Sequence, residues 1–153
     1  MISVGEPAPD FELSDQHGAR VRLSALRGRP VLLVFFPFAF TAVCTDELAA
    51  LRDHVVPAVG GEAAVLAVSC DTMVGLRVFG DQNGLDFPLL SDFWPHGRVA
   101  SSYGVFDDDR GCALRGTFVV DAAGDVRWTV THALPEARDV AAYRRVLADL
   151  GAA

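Results

Sequence analysis

Pro30 to Leu51 read PVLLVFFPFAFTAVCTDELAAL, and the fold follows from how this stretch is parsed. Val31 to Phe36 are consecutive apolar residues without alternation, the pattern of a strand covered on both faces. Pro37 ends it, because proline cannot donate to a strand ladder. Thr41 then stands where a helix N-cap is needed, its hydroxyl within reach of the Val43 or Cys44 amide, and Leu48, Leu51 and Val55 follow at helical spacing. This parsing places Cys44 in the opening turn of a helix. Amides there lack intrahelical partners and the positive end of the macrodipole is close, so the position favours a thiolate. A helix terminus contributes at most about 2 kcal/mol to an anion, so a fully activated sulfur calls for a nearby cation as well. Asp46 and Glu47, read into the same opening turn, oppose a second anion, which makes an arginine partner for Glu47 an expectation. On position alone two readings of Cys44 stay open: a reactive thiol, or a small buried hydrophobe, the usual fate of a free cysteine.

Upstream, Phe11 to Leu13 and Val21 to Leu23 read as a hairpin over Asp15-Gln16-His17-Gly18, with a brief turn at Ser24 to Gly28. Downstream, the Cys44 helix runs to about Val56 or Pro57 and Gly60-Gly61 resets the chain. Ala63 to Val68 is a strand, Thr72 to Asn83 a helix with Gly84 as its C-cap, Phe87 to Leu90 a short buried strand, and Gly97 to Tyr103 a short helix after the loop Ser91 to His96. Val105-Phe106 and Leu114 to Val120 read as a hairpin over the acidic turn Asp107 to Gly111. Val126 to Val130 pairs back antiparallel, and Glu136 to Leu150 is an amphipathic helix. Strands alternating with helices across short loops indicate an α/β domain with a parallel-containing sheet.

The 153 residues fit one domain, 1–153, and a 51% hydrophobic content is ample for its core. A formal charge of -7 argues against a nucleic-acid or anionic-membrane partner. Every basic side chain other than histidine is an arginine, with no lysine, which no physical argument requires. The opening MISVGEPAPDFEL lacks the basic and apolar segments of a signal peptide, and the longest apolar run, Val31 to Phe40, is too short to span a bilayer. Cys44, Cys70 and Cys112 have no CxxC spacing and suit a reducing compartment, so a cytoplasmic protein is expected. His17, His54, His96 and His132 are scattered without metal-ligand spacing, and no glycine-rich phosphate loop follows a strand, so neither metal nor cofactor is expected.

The combination Pro37-x-x-x-Thr41-x-x-Cys44 resembles the signature of the peroxiredoxins of the AhpC/TSA superfamily, thiol peroxidases on a thioredoxin-like fold. Glu47 falls where that family often has a glutamate. Arg115-Gly116-Thr117-Phe118-Val119-Val120-Asp121 resembles the strand that opens with an arginine facing the peroxidatic sulfur, so the resemblance makes Arg115 the missing cation. Leu134 to Arg138 resembles a later segment whose arginine meets the motif glutamate, which makes Arg138 a candidate partner for Glu47. The opening PAPDFELSDQHG and the stretch LLSDFWPHGRVASSYGVF extend the likeness, which is nearest to the one-cysteine AhpE-type group. What it implies is a central mixed β-sheet flanked by helices, with an N-terminal β-hairpin extension, and a homodimer paired beside Phe93, Trp94 and Pro95.

It also implies a reaction: reduction of hydrogen peroxide, organic hydroperoxides and peroxynitrite by the Cys44 thiolate, which becomes a sulfenic acid. Full deprotonation of a thiol only a few per cent ionised gains only ~30-fold, so most of the rate must come from donors aimed at the oxygen pair: the Thr41 hydroxyl, the Cys44 amide and Arg115. Pro37 excludes water from the product. Ala49 stands where one subclass has its resolving cysteine, and no cysteine follows Cys112, so an external low-molecular-weight thiol or a thioredoxin-type partner is expected as reductant. Cys70 and Cys112 remain candidates for a resolving thiol. If Cys112 and Arg115 shared one regular strand, their odd spacing would send them to opposite faces, unless a turn at Gly111 intervenes. The alternative function is a non-catalytic peroxide-sensing or partner-binding protein on the same fold.

Overall fold

A computed structural model describes residues 1–132 and 139–151. At its centre is β3 (Val31–Phe35), buried on both faces as the unbroken apolar run requires. Leu32, Val34 and Phe36 pack on one side with Cys44, Leu48, Phe79 and Tyr143, while Val31, Leu33 and Phe35 pack on the other with Tyr103 and Phe118. β3 pairs in parallel with β4 (Ala64–Ser69), and β4 in parallel with β5 (Leu89–Ser91). On its other edge β3 meets β8 (Arg115–Val120) antiparallel, and β8 meets β9 (Val126–His132) antiparallel. The N-terminal hairpin, β1 (Glu12–Ser14) and β2 (Arg20–Arg22), joins the β5 edge through Ser14 and Ser91, giving the order β2-β1-β5-β4-β3-β8-β9. The sheet is mixed and flanked by helices, a thioredoxin-like fold with an N-terminal hairpin, as expected.

Helix α1 (Ala42–Ala50) continues through a π-helical turn, Leu51–Val55, into α2 (Val56–Val59), which Gly60 closes in the left-handed conformation. The helical run therefore reaches past Pro57, which is tolerated because it sits in the first turn of α2. α3 (Met73–Asn83) lies between its expected caps: the Thr72 hydroxyl accepts from the Gly75 amide, and Gly84 is left-handed at φ 62. α5 (Val140–Asp149) begins at an Asp139 cap, inside the expected span from Glu136. α1, α3 and α5 supply the Cys44 side of the core, whereas α4 (Arg98–Ser102) covers the opposite face with Tyr103.

One expected pairing is replaced. Phe106 and Leu114 to Val120 do not form a hairpin; instead β6 (Phe106–Asp107) and β7 (Cys112–Ala113) make a separate two-stranded ribbon. β8 starts afresh at Arg115, drawn into the main sheet by β3 and β9, which satisfy both of its edges. The ribbon stays tied to the sheet by Leu114 N–H donating to Val105 O at 2.8 Å. Cys112 and Arg115 thus do not share a regular strand, and the objection from their odd spacing lapses. Among the described residues no helix is long and apolar enough to cross a membrane.

Candidate active site

The site sits at the C-terminal ends of β3 and β4, where a parallel sheet leaves a crevice between diverging loops. β3 ends at Phe35, Phe36 N–H still donates to Val68 O at 2.9 Å, and Pro37 then turns the chain away. The loop is held from below by Asp71, whose carboxylate accepts from the Ala39 amide at 2.9 Å and the Ser69 hydroxyl at 2.7 Å. Phe40 adopts a left-handed φ of 68, rare for an aromatic residue, and its ring lies edge-on to Phe79 at 5.3 Å.

Thr41 is the N-cap of α1 by backbone conformation, but its hydroxyl does not cap. It donates to Phe38 O at 2.9 Å, because the turn brings that carbonyl closer than the helix amides. The first intrahelical bond runs from Thr45 N–H to Thr41 O at 2.9 Å, so the Val43 and Cys44 amides precede the ladder. Cys44 is in the opening turn as expected. Asp46 and Glu47 are not: they fall in the second turn, since the helix starts at Ala42.

Cys44 is fully buried and Glu47 is 4% exposed. The Arg115 guanidinium reaches both, donating to Cys44 Sγ at 3.4 Å and pairing with Glu47 Oε1. Strand periodicity explains the direction. Thr117 meets the Tyr143 hydroxyl at 3.0 Å and Val119 packs with Cys44, so Arg115, two and four residues earlier, faces the same helical layer. One arginine therefore serves sulfur and carboxylate together. Arg138, the other candidate partner of Glu47, lies outside the described residues. A hollow beside the start of α1 is lined by Pro37, Phe38, Thr41, Ala42, Val43, Arg110 and Arg115; Cys44 itself is buried behind it.

Cys70 and Cys112 are free and buried. Burial, aided by Asp92 and the Cys112 sulfur, pushes the Cys70 thiol up to about 12. Burial and Asp107 raise the Cys112 thiol, and a charge on Cys44 adds to that rise. Of Phe36, Phe38 and Phe40, the aromatic residues expected to make the approach apolar, only Phe38 lines the hollow, while Asp71 and Arg110 had no expected role. Ser69-x-Asp71 at the end of a buried strand was a legible sign of a polar loop anchor; the left-handed Phe40 and the folding of Arg110 onto the hollow left no local signal.

A mixed sheet of this order, with a buried cysteine opening the helix after its central strand, defines a thioredoxin-like thiol protein. Similarity to known proteins narrows the class. The AhpC/TSA family profile matches residues 4–129, and the chain belongs to that family, the peroxiredoxins. It is 46% identical over 153 residues to alkyl hydroperoxide reductase E of Mycobacterium tuberculosis, covering 99% of this chain and 100% of that one. It is 35% identical over 147 residues to peroxiredoxin-2 of Rattus norvegicus, covering 90% and 73% of the two chains. Among solved structures, Enterococcus faecalis AhpC superposes with a TM-score of 0.87 at 26% identity over 97% of this chain and 92% of that one. Peroxidoxin BcpB of Mycobacterium tuberculosis gives 0.84 at 33% identity, over 99% and 98%.

Proposed function

We propose that the protein is a thiol-dependent peroxidase in which Cys44 reduces hydrogen peroxide, organic hydroperoxides and peroxynitrite. The observation that carries this reading is the Arg115 guanidinium at 3.4 Å from the buried Cys44 Sγ, the same arginine that lines a hollow with Thr41 and Pro37. The thiolate attacks one peroxide oxygen; the S–O bond forms as the O–O bond breaks, and the leaving alkoxide or hydroxide takes up a proton. Products are the Cys44 sulfenic acid and an alcohol or water. Arg115 and the amides of Val43 and Cys44 are donors fixed before the charge on the oxygen pair develops, so little reorganisation is needed. With its proton committed to Phe38 O, the Thr41 oxygen presents lone pairs to the hydroperoxide O–H. Pro37, Phe38, Ala42 and Val43 make the approach apolar, which suits organic hydroperoxides and keeps water from the sulfenic acid. Glu47 holds the guanidinium in place, with Arg138 as a further proposed support.

An external thiol or a redoxin-type protein returns Cys44 to the thiol in the cytoplasm, a compartment suited to cysteines without CxxC spacing. A homodimer is part of the proposal, supported by Phe93 and Trp94, 45% and 80% exposed beside each other. The test is peroxide turnover with dithiothreitol or thioredoxin as reductant. Many peroxides consumed per chain, abolished by Cys44→Ser, is the expected result. Consumption that stops at one peroxide per chain with every reductant would replace catalysis with sensing.

A further inference from the structure

His96 joins two segments that are separate in sequence: the loop before α4 and the turn of the β6–β7 ribbon. Its Nδ1 stands 3.0 Å from Phe93 O on the loop, and its Nε2 stands 2.7 Å from Gly111 O on the turn. A neutral imidazole carries one N–H and one lone pair, and a carbonyl oxygen has no proton to give, so the neutral ring can bond only one of these two carbonyls. The imidazolium, with an N–H on each nitrogen, bonds both. The 2.7 Å contact is at the short end of N–H···O distances, where ionised donors are found. The ring also packs at near right angles to Phe93, with centroids 5.8 Å apart, and to Phe106, at 6.0 Å, so it is seated against both segments.

We infer that His96 is a positioning residue for the reaction at Cys44: as an imidazolium it donates to Phe93 O and Gly111 O together, and this clasp fixes the turn that carries Arg110 into the hollow beside α1. The inference rests on the peroxidase reading. Gly111 directly follows Arg110, whose side chain lines that hollow. The other bonds of the turn are internal to it. Asp107 Oδ1 accepts from the Asp109 and Arg110 amides at 2.9 and 3.1 Å, Asp107 Oδ2 accepts from Arg110 Nη1 at 3.1 Å, and Gly111 N–H donates to Asp107 O at 2.8 Å. These shape the turn, whereas the Gly111 carbonyl on His96 ties it to the loop before α4.

The two sides of the clasp differ in how firmly they are held. On the loop, Asp92 N–H donates to Ser69 O at 2.8 Å and Gly97 N–H to Asp92 O at 2.9 Å, and the buried Asp92 carboxyl accepts from the Val99 and Ala100 amides. The turn is exposed and belongs to a ribbon of two residues per strand that is separate from the seven-stranded sheet. When the exposed ring gives a proton to water, one carbonyl meets a lone pair. His96 then keeps Phe93 O, three residues back on its own loop, and lets Gly111 O go, because the turn yields more readily than the loop. The charged groups on the elements around the ring are Asp92 on its own loop, Arg98 at the start of α4, and Asp107, Asp108, Asp109 and Arg110 on the turn. Four carboxyl groups against two guanidiniums are surroundings that suit a positive ring. The clasp is thus closed at low pH and opens as pH rises through the range in which histidines titrate.

The experiment follows the full chain, isotopically labelled, by NMR from about pH 5.5 to about pH 9. Both ring nitrogens of His96 are expected to carry protons at the low end, and the Gly111 carbonyl carbon shift to move with the same midpoint as the ring loses one of them. The second measurement is the rate constant for oxidation of Cys44 by hydrogen peroxide in the wild type, His96→Gln, Arg110→Gln and the double variant. Glutamine presents one donor group and cannot gain a proton, so it stands in for the neutral ring. The wild type is expected to react about 3- to 10-fold faster than His96→Gln while the ring is doubly protonated, the worth of one hydrogen bond, and at the same rate once it is not. Ionisation of Cys44 itself affects both proteins alike and cancels in the ratio. In the Arg110→Gln background His96→Gln is expected to change nothing, because His96 acts through Arg110. A ring with a single proton at the low end, a Gly111 carbonyl that ignores the titration, a ratio flat across the pH series, or a His96→Gln loss undiminished without Arg110 would each overturn the inference while Cys44 still reacts. Absence of Cys44 oxidation in the wild type would instead overturn the peroxidase reading, and the ring and carbonyl shifts, which need no peroxide, keep the two failures apart.

Discussion

Removing the Arg115 guanidinium separates its two duties. Its side chain and that of Glu47 are 5% and 3% exposed, so the pair is shielded from solvent screening. Deleting one partner of such a buried pair typically costs about 3 to 5 kcal/mol, because the other charge stays in the interior. Arg115→Met is therefore expected to lower the unfolding free energy by that amount, and Arg115→Met with Glu47→Gln to recover most of it, since a neutral amide at 47 no longer needs the cation. The peroxide rate behaves differently. A hydrogen bond from a charged donor is worth about 1.5 to 3 kcal/mol, so losing the contact with sulfur and with the developing oxyanion slows the reaction about 10- to 150-fold. Glu47→Gln cannot restore it. Denaturant midpoints give the first quantity, and rapid mixing with hydrogen peroxide in competition with a fast haem peroxidase gives the second. If the double variant regained both stability and rate, Arg115 would act only by neutralising Glu47, and the geometric argument for catalysis would fail.

Thr41→Val keeps the shape of the residue but removes the oxygen, and is expected to slow peroxide reduction by about 10-fold or more with under about 1 kcal/mol of destabilisation, whereas Thr41→Ser retains the rate. A Cβ on Gly116 would stand 2.8 Å from Val105 Cγ1, so Gly116→Ala should cost about 1 to 3 kcal/mol and displace the neighbouring Arg115; adding Val105→Ala should return part of both losses. Because burial lifts the Cys70 thiol to about 12, its thiolate fraction at pH 8 is about one in ten thousand, and alkylation of native Cys70 by iodoacetamide should rise about tenfold per pH unit through pH 9 and beyond. A plateau near pH 8.5 would mean instead that the thiol reacts only after local opening.

Much of this arrangement could be read from the chain because it depends on local patterns. The unbroken apolar run fixed β3 as a doubly covered strand, Thr72 and Gly84 bounded α3, and the spacing from Pro37 to Cys44 put the thiol in the first turn of α1. Errors arose where long-range pairing competes with local preference. Val105 and Leu114 look like neighbours in a hairpin and do exchange a backbone bond, but the ladder beyond belongs to β3 and β9, which only the assembled sheet reveals. Thr41 has the composition of a capping residue and spends its proton on Phe38 O, a choice made by the turn geometry at Phe40. Glu47 was expected to need an arginine, and among the described residues Arg115, which it pairs with, is also aimed at the sulfur, an economy that residue spacing alone could not indicate.

The register between β3 and β8 is what makes that sharing work. Val34 faces Thr117 and Leu32 faces Val119, so odd-numbered residues of β8 share a face with even-numbered residues of β3, the face on which Cys44 and Tyr143 pack. Arg115 stands one step beyond Thr117 on that face, just where β3 has ended and left its line open to α1. A slip of one residue would turn the guanidinium toward the layer of Tyr103 and Phe118, where no anion from α1 could meet it. The cost of such a slip, moving Phe118 and Val120 out of one core and Val119 out of the other, far exceeds what the guanidinium gains from its partners. Hydrophobic pairing therefore sets where the charge goes, and the chemistry proposed for Cys44 depends on packing several residues away from it.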